Sequence, residues 1–185
     1  MLYIIRHAQS QANAGGNVLY DNRHIPLTDY GHQQAQKLIT SLPRASKVYV
    51  SEMLRTQQSA LPFCQHWGIT WEVLPELNEF SYLPFSLIEG KSRQMVSELA
   101  RQYFERQQIH ERYGEDSFYD FYQRVARFRA QAKRFEADTV CFGHGVWLQM
   151  FYWQSLGKAL CDLAHFRAFQ SQQPIENASI HVFSL

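Results

Sequence analysis

The chain opens on Leu2-Tyr3-Ile4-Ile5-Arg6-His7-Ala8, an apolar run that stops abruptly at an Arg-His pair. A short apolar run of this kind reads as a buried strand. A strand that ends there delivers a cation and an imidazole to the carboxyl edge of a sheet, where open α/β folds bind their ligands. Far downstream, Thr139-Val140-Cys141-Phe142-Gly143-His144-Gly145 repeats the setting. Two strand-end histidines, one with an arginine beside it, suggest a site for an anion and for chemistry on it.

The rest of the chain supplies a frame for such an edge. Residues 8–26 are polar, with Gly15-Gly16 and Pro26, and read as a loop. Thr28 is an N-cap candidate; after it Ala35, Leu38, Ile39 and Leu42 fall at helical spacing until Pro43. Residues 47–50 read as a strand, 53–67 as a helix stopped by Gly68, and 69–74 as a third strand. This β-α-β-α-β order argues for a mostly parallel sheet with helical crossovers. Residues 75–90 read as irregular, 92–107 and 116–136 as helices, 138–142 as a strand, and 145–156 and about 160–170 as helices. Residues 179–184 alternate like a final strand. The stripe Phe118, Phe121, Tyr122, Val125, Phe128 and Phe135 reads as core. The expected fold is an α/β/α sandwich in three layers with a mostly parallel central sheet and a small helical cap. Without a repeat, low-complexity tract or linker, residues 1–185 read as one domain.

Composition narrows the partners. With 18 basic and 17 acidic residues the chain has almost no net charge, so nothing global points to nucleic acid or an anionic membrane. An anion site must come from local clustering of Arg and His. Cys64, Cys141 and Cys161 are odd in number and lack metal-ligand spacing, which suggests free thiols in a reducing compartment. No apolar stretch is long enough to span a membrane and no basic leader opens the chain, so a cytoplasmic location is the expectation. Oligomeric state is unreadable, and a homodimer is left open.

Four elements carry the chemistry: Arg6-His7, Arg55, Glu79 and His144. Arg55 falls just past the second strand, near a helix start at the same sheet edge as His7. Guanidinium donors match phosphate oxygens in pairs. Two arginines and two histidines together neutralise most of a phosphoryl group's charge, which is most of the catalytic work in phosphoryl transfer.

That joint pattern resembles the histidine phosphatase superfamily, also called the phosphoglycerate mutase-like family. Arg6-His7-Ala8 is similar to its Arg-His-Gly signature, and Asn13 has the spacing of the asparagine usual after it. Pro26-Leu27-Thr28-Asp29-Tyr30-Gly31 with Gln34-Ala35 resembles its Pro-Leu-Thr-x-x-Gly…Gln-Ala helix start. Ser51 to Ala60, Leu77-Asn78-Glu79 and Phe142-Gly143-His144-Gly145 resemble three further motifs, so the likeness runs from residue 2 to about Ser179. The resemblance implies that His7 attacks phosphorus and becomes a phosphohistidine. It implies that Arg6, Arg55 and His144 hold the equatorial oxygens, that Asn13 adds a neutral donor, and that Glu79 gives and later takes the proton. It implies a histidine acid phosphatase-type enzyme, a phosphoric monoester hydrolase that works on a small phosphorylated metabolite without metal or cofactor. HExxH, a glycine-rich GxxxxGK[ST] loop and Mg²⁺-type carboxylate clusters are absent from the sequence. A mutase that moves phosphate between hydroxyls and a phosphate-binding module without catalysis are the alternatives.

Four departures from the family pattern stand out: Ala8 for Gly, Glu52 for Pro, Thr56 for Ala and Gly143 for Ser. Ala8 costs about 1 kcal/mol if its backbone needs positive φ. Glu52 either repels an anion or points to solvent. Residues 80–115 are expected to cap the site. There Phe80, Tyr82, Leu83, Phe85 and Leu87 either form an apolar wall or pack the cap onto the core, and Lys91 and Arg93 are candidates for a second anion.

Overall fold

The computed structural model describes residues 1–106, 108–160 and 162–184. Its five strands are β1 (Leu2–Arg6), β2 (Lys47–Val50), β3 (Trp71–Val73), β4 (Thr139–Gly143) and β5 (Ile180–Phe183). They form one sheet in the order β3-β2-β4-β1-β5. All neighbours are parallel except β5, which runs antiparallel to β1. The described residues contain eight helices: α1 (Gln11–Ala14), α2 (Asp29–Ser41), α3 (Leu54–Trp67), α4 (Phe85–Ile88), α5 (Arg93–Arg106), α6 (Phe118–Ala132), α7 (Gly145–Ser155) and α8 (Leu163–Gln172). None of the described helices is long and apolar enough to cross a membrane.

The period-two alternation of the central strands sorts the core into two layers. On β1, Leu2 and Ile4 join one cluster and Ile5 the other; on β4, Cys141 joins the first, Val140 and Phe142 the second. The first cluster is filled by Phe121, Val125 and Phe128 of α6 and by Trp147 and Leu148 of α7. The second is filled by Leu38 of α2 and by Ala60, Phe63 and Cys64 of α3. Helices therefore cover both faces of the sheet, as the strand-helix alternation of the sequence implies.

Element ends follow local chemistry. The Thr28 hydroxyl accepts from the Gly31 N–H at 3.0 Å and starts α2. Gly68 ends α3 at φ +65°, a left-handed conformation that favours glycine. Ser117 and Asp120 form a capping box that starts α6 at 118, two residues later than the apolar pattern suggests. Within the loop expected over 8–26, Ser10 and Asn13 make a second such box and wind the single turn α1. The irregular stretch 75–90 also gains structure, a 3₁₀ turn at Pro75–Leu77 and the short α4.

The aromatic residues after Glu79 mainly pack inward. Phe80 stacks on Phe121 of α6 with centroids 4.6 Å apart, and Tyr82 lies against Tyr103 and Phe104 of α5. Cys64 and Cys141 are buried and unpaired, and burial pushes the Cys64 thiol up to about 11. Cys161 and the last position of the 92–107 helix lie outside the described residues.

Gly31 sits where α2 crosses the chain after β1. A Cβ at that position collides with the Gln9 carbonyl, which already accepts from the Thr28 N–H at 3.0 Å. Both partners are backbone, so relief requires moving an element. Gly31→Ala is expected to cost about 1–3 kcal/mol, visible in a thermal melt as a Tm lowered by several degrees; an unchanged Tm would show that this crossing is pliable.

Candidate active site

The sheet places the two histidines side by side. β1 and β4 are neighbours with Arg6 opposite Gly143, and the His7 N–H donates to the Gly143 carbonyl at 2.9 Å. His7 and His144 therefore leave the same sheet edge, with ring centroids 5.2 Å apart. β2 lies on the other side of β4 and stops at Val50, so α3 begins above that same edge and Arg55 occupies its first turn. A cavity of about 320 Å³ opens there, lined in part by Arg6, His7, Asn13, Arg55, Glu79 and Gly145. His144 lies one layer deeper, fully buried beside the His7 ring.

His7 is held in one tautomer from both sides. Its Nδ1 lies 2.7 Å from the Ala8 carbonyl, an acceptor only, so Nδ1 carries the hydrogen. Nε2 accepts from Arg55 Nε at 3.2 Å and so presents its lone pair. Burial, reinforced by Arg55 and Arg6, holds the imidazole well below its ordinary range. The ring is neutral, and its hydrogen bonds identify Nε2 as the nitrogen without a hydrogen.

Arg55 is 4% exposed, and burial lowers its guanidinium to about 10. Its other donors reach the Asn22 carbonyl at 2.5 Å, the Asn22 side-chain oxygen at 3.0 Å and Met53 Sδ at 3.2 Å. Arg6 donates to the Ile175 carbonyl, while its Nε is buried without a partner. Gly145 leaves room for this side chain, since a Cβ there would stand 3.2 Å from Arg6 Nε. Asn13 accepts through Oδ1 from the Ser10 N–H, the Ser10 hydroxyl and Asn177, which fixes its amide and leaves Nδ2 as a free donor on the cavity wall.

His144 caps α7, and its Nε2 lies 2.8 Å from Ser51 Oγ. Thr56 donates to the Met53 carbonyl, Ser51 and Thr56 hydroxyls are 2.8 Å apart, and the Met53 N–H donates to Ser51. The assignment that satisfies all these contacts runs His144 Nε2–H to Ser51, Ser51 to Thr56, and Thr56 to the Met53 carbonyl. Nδ1 is then the bare nitrogen, and it is buried without a partner. Burial first, then Arg55, His7 and Arg6, keep this ring neutral.

Glu79 sits at the N-terminus of α7, accepting from the Val146 N–H at 3.0 Å and the Trp147 N–H at 2.9 Å, and from its neighbour Phe80 at 3.0 Å. These donors and the two arginines favour the carboxylate, but burial outweighs them and raises its pKa above the ordinary range. The loop that carries it is itself clamped. Arg124 of α6 donates to the carbonyls of Asn78 (3.1 Å) and Glu79 (3.2 Å) while its fork grips Asp116 at 2.5 and 2.9 Å. Trp147 Nε1 adds a bond to the Glu76 carbonyl at 2.7 Å.

All six residues singled out by sequence therefore meet at one sheet edge. Over residues 2–185 the chain matches the model of the histidine phosphatase superfamily (branch 1). The chain belongs to that superfamily. It is 31% identical over 178 residues to the adenosylcobalamin/alpha-ribazole phosphatase of Escherichia coli (strain K12), covering 91% of this chain and 85% of that one. Among solved structures, a proposed alpha-ribazole-5'-P phosphatase from Escherichia coli superposes with a TM-score of 0.75 at 26% identity, covering 97% of this chain and 87% of that one. A phosphoserine phosphatase from Entamoeba histolytica superposes with a TM-score of 0.72 at 18% identity, over 97% and 87% of the two chains, a likeness of fold alone.

The departures from the superfamily pattern resolve locally. Among the described residues the left-handed non-glycines are Asp138 and Ala178, so Ala8 carries no such strain. Glu52 is turned outward, bonded to Arg23 at 2.7 Å and to Asn78 at 2.5 Å. Thr56 closes the hydroxyl chain behind His144, and a Cβ on Gly143 would meet nothing nearer than 3.9 Å. The second-anion pair does not assemble. Lys91 lines neither cavity, while Arg93 lines the second and donates to the Asn13 carbonyl at 2.9 Å.

Sequence reasoning passed over Asn22, Asn177, Ser51 and Arg124. Asn22 and Asn177 act through distant loops and leave no local signal. Ser51 had one, as a polar residue ending a strand beside the two that were noticed. Arg124 matters through Glu79, and Arg124→Met is expected to let the Glu79 loop drift. A displacement of about 1 Å costs roughly a hundredfold in rate. Turnover of an alkyl phosphate should fall far more than its KM changes, with Arg124→Lys recovering part of the loss; equal rates across the three proteins would remove Arg124 from this role.

Proposed function

We propose that the protein is a metal-independent phosphomonoesterase of small phosphorylated metabolites that works through a phosphohistidine on His7. The observation that carries the reading is the His7 hydrogen-bond pattern, a neutral imidazole with its Nε2 lone pair at a cavity lined by two guanidiniums. The phosphatases among its relatives support the same reaction class, and α-ribazole 5'-phosphate belongs in the first substrate panel.

The proposed steps balance as follows. The Nε2 lone pair bonds to phosphorus as the ester P–O bond breaks, and Glu79 protonates the departing alkoxide. Arg6, Arg55, Asn13 and His144 hold the three equatorial oxygens, on which charge spreads. Arg55 gives up its bond to Nε2 and turns the same N–H to the phosphoryl group. The bare Nδ1 of His144 takes a proton from solvent as a dianion binds and offsets the arginines, donates it in a hydrogen bond to phosphate, and returns it to solvent when phosphate leaves. Water then attacks phosphorus, the N–P bond returns its pair to Nε2, and the Glu79 carboxylate takes the water's proton. A dianion beside Glu79 adds a like charge, which pushes its pKa further in the direction that burial already sets.

Residues 80–115 form the cap of this site in the proposed reading. The arginines and histidines supply the positive charge that Mg²⁺ supplies in many other phosphoryl-transfer enzymes.

Hydrolysis of an aryl phosphate in EDTA is the direct test. The wild type is expected to turn over and to yield acid-labile phosphate on quenching, while His7→Ala loses roughly 10³-fold or more and carries no label. Turnover within a few-fold in His7→Ala would overturn the nucleophile, and EDTA inhibition reversed by one divalent ion would overturn the metal-free scheme.

The pH profile tests the proton donor. The first step needs His7 neutral and Glu79 protonated, so kcat/KM rises as pH passes a His7 value below the ordinary imidazole range and falls through a Glu79 value above the ordinary carboxyl range. Glu79→Gln is expected to lose the alkaline limb and to slow alkyl phosphates far more than aryl ones. Equal slowing across a leaving-group series would reassign the proton donor.

A further inference from the structure

We infer that a second cavity, adjoining the first, holds the alcohol half of the substrate and selects phosphate esters of bulky, uncharged, aromatic alcohols. This inference rests on the phosphatase reading above. The second cavity measures about 450 Å³, and it shares Ala12, Asn22 and Ile25 with the wall of the reactive cavity. An ester whose phosphorus faces His7 therefore has this neighbouring space in which to lay its alcohol.

The chemistry of the lining decides what fits. Val18, Phe80, Tyr82, Leu83, Ile88 and Val96 supply an aliphatic and aromatic surface. Phe80 and Tyr82 are themselves fixed from behind by Phe121, Tyr103 and Phe104, so they present rigid ring surfaces. Among the described residues no Asp, Glu or Lys lines the cavity, and the charged side chain there, Arg93, already donates to the Asn13 carbonyl. Gln11, Asn17, Asn22 and Ser81 add neutral polar groups to the lining, enough to orient a ligand through a few hydrogen bonds. At the same mouth Leu19 and Tyr20 stand 72% and 41% exposed, apolar surface left in water where a bound ring would cover it. A carboxylate carried on the alcohol would instead be desolvated among aliphatic groups with one partly engaged guanidinium for company.

The test keeps the scissile chemistry constant by using three primary alkyl esters: ethyl phosphate, 2-(1-naphthyl)ethyl phosphate and 2-carboxyethyl phosphate. Wild-type kcat/KM is expected to rise at least tenfold from the ethyl to the naphthylethyl ester and to show no gain for the carboxyethyl ester. Val96→Asp and Ile88→Asp each place a charge on the proposed wall. In either variant the naphthylethyl-to-ethyl ratio is expected to drop below threefold, with a thermal melt showing that the protein is folded. The wild-type series stands without the variants if both fail to fold. Turnover of all three esters without preference, or a preference for the carboxyethyl ester, overturns the inference and leaves the phosphatase reading intact. Failure to turn over any of them brings down both.

Discussion

Two guanidiniums sit at one sheet edge with their surroundings built almost wholly from neutral groups, and the rest of the structure follows from that imbalance. The partners of buried Arg55 are a carbonyl, an amide oxygen, a thioether and an imidazole. An unpaired buried charge is costly, and hydrogen bonds of this kind satisfy its protons without neutralising it. The same unspent charge explains why His7 and His144 are neutral: burial begins that shift and the arginines extend it. A dianion among these groups would offset both arginines and let the depressed imidazoles take up protons.

Glu79 is the counterweight, and its placement is a compromise between acidity and order. Backbone N–H groups at the start of α7 hold both carboxyl oxygens and favour their charge; burial favours the acid. Burial prevails, and the carboxyl group lies above its ordinary range. Its position is fixed twice over from outside the cavity, by Arg124 on the carbonyls of the loop and by Trp147 on Glu76. Chemistry is carried by side chains, while aim is carried by backbone contacts with no sequence signature of their own.

That division explains what the sequence disclosed. Strand ends were legible because a buried apolar run that meets Arg-His or Gly-His has one reasonable place to stop, and the parallel pairing of β1 with β4 then brings His7 and His144 together. The helices on both faces were legible from periodicity, with ends displaced only where a cap such as Ser117 overrode the apolar pattern. The turn at Gln11–Ala14 was not legible, because a polar glycine-flanked stretch reads as loop until Ser10 and Asn13 are seen to satisfy one another. Lys91 and Arg93 were paired on proximity in sequence. In the fold Arg93 lines the second cavity and Lys91 lines neither. Asn22 and Asn177 were invisible because each acts across more of the fold than any local pattern spans.

The sheet order carries a consequence for the making of the protein. β1 is the first element of the chain, yet its two neighbours are β4 and β5, the last strands to appear. Ile175 and Asn177, which grip Arg6 and the His7 carbonyl, come from the segment just before β5. Contacts so remote along the chain form late and slowly in folding. A growing chain therefore carries its Arg-His pair early but without the partners that tune it, and an incomplete chain holds an ordinary histidine on an unpaired strand. The cation cluster draws on both halves of the chain, so any activity it supports requires β4 and β5 in place beside β1.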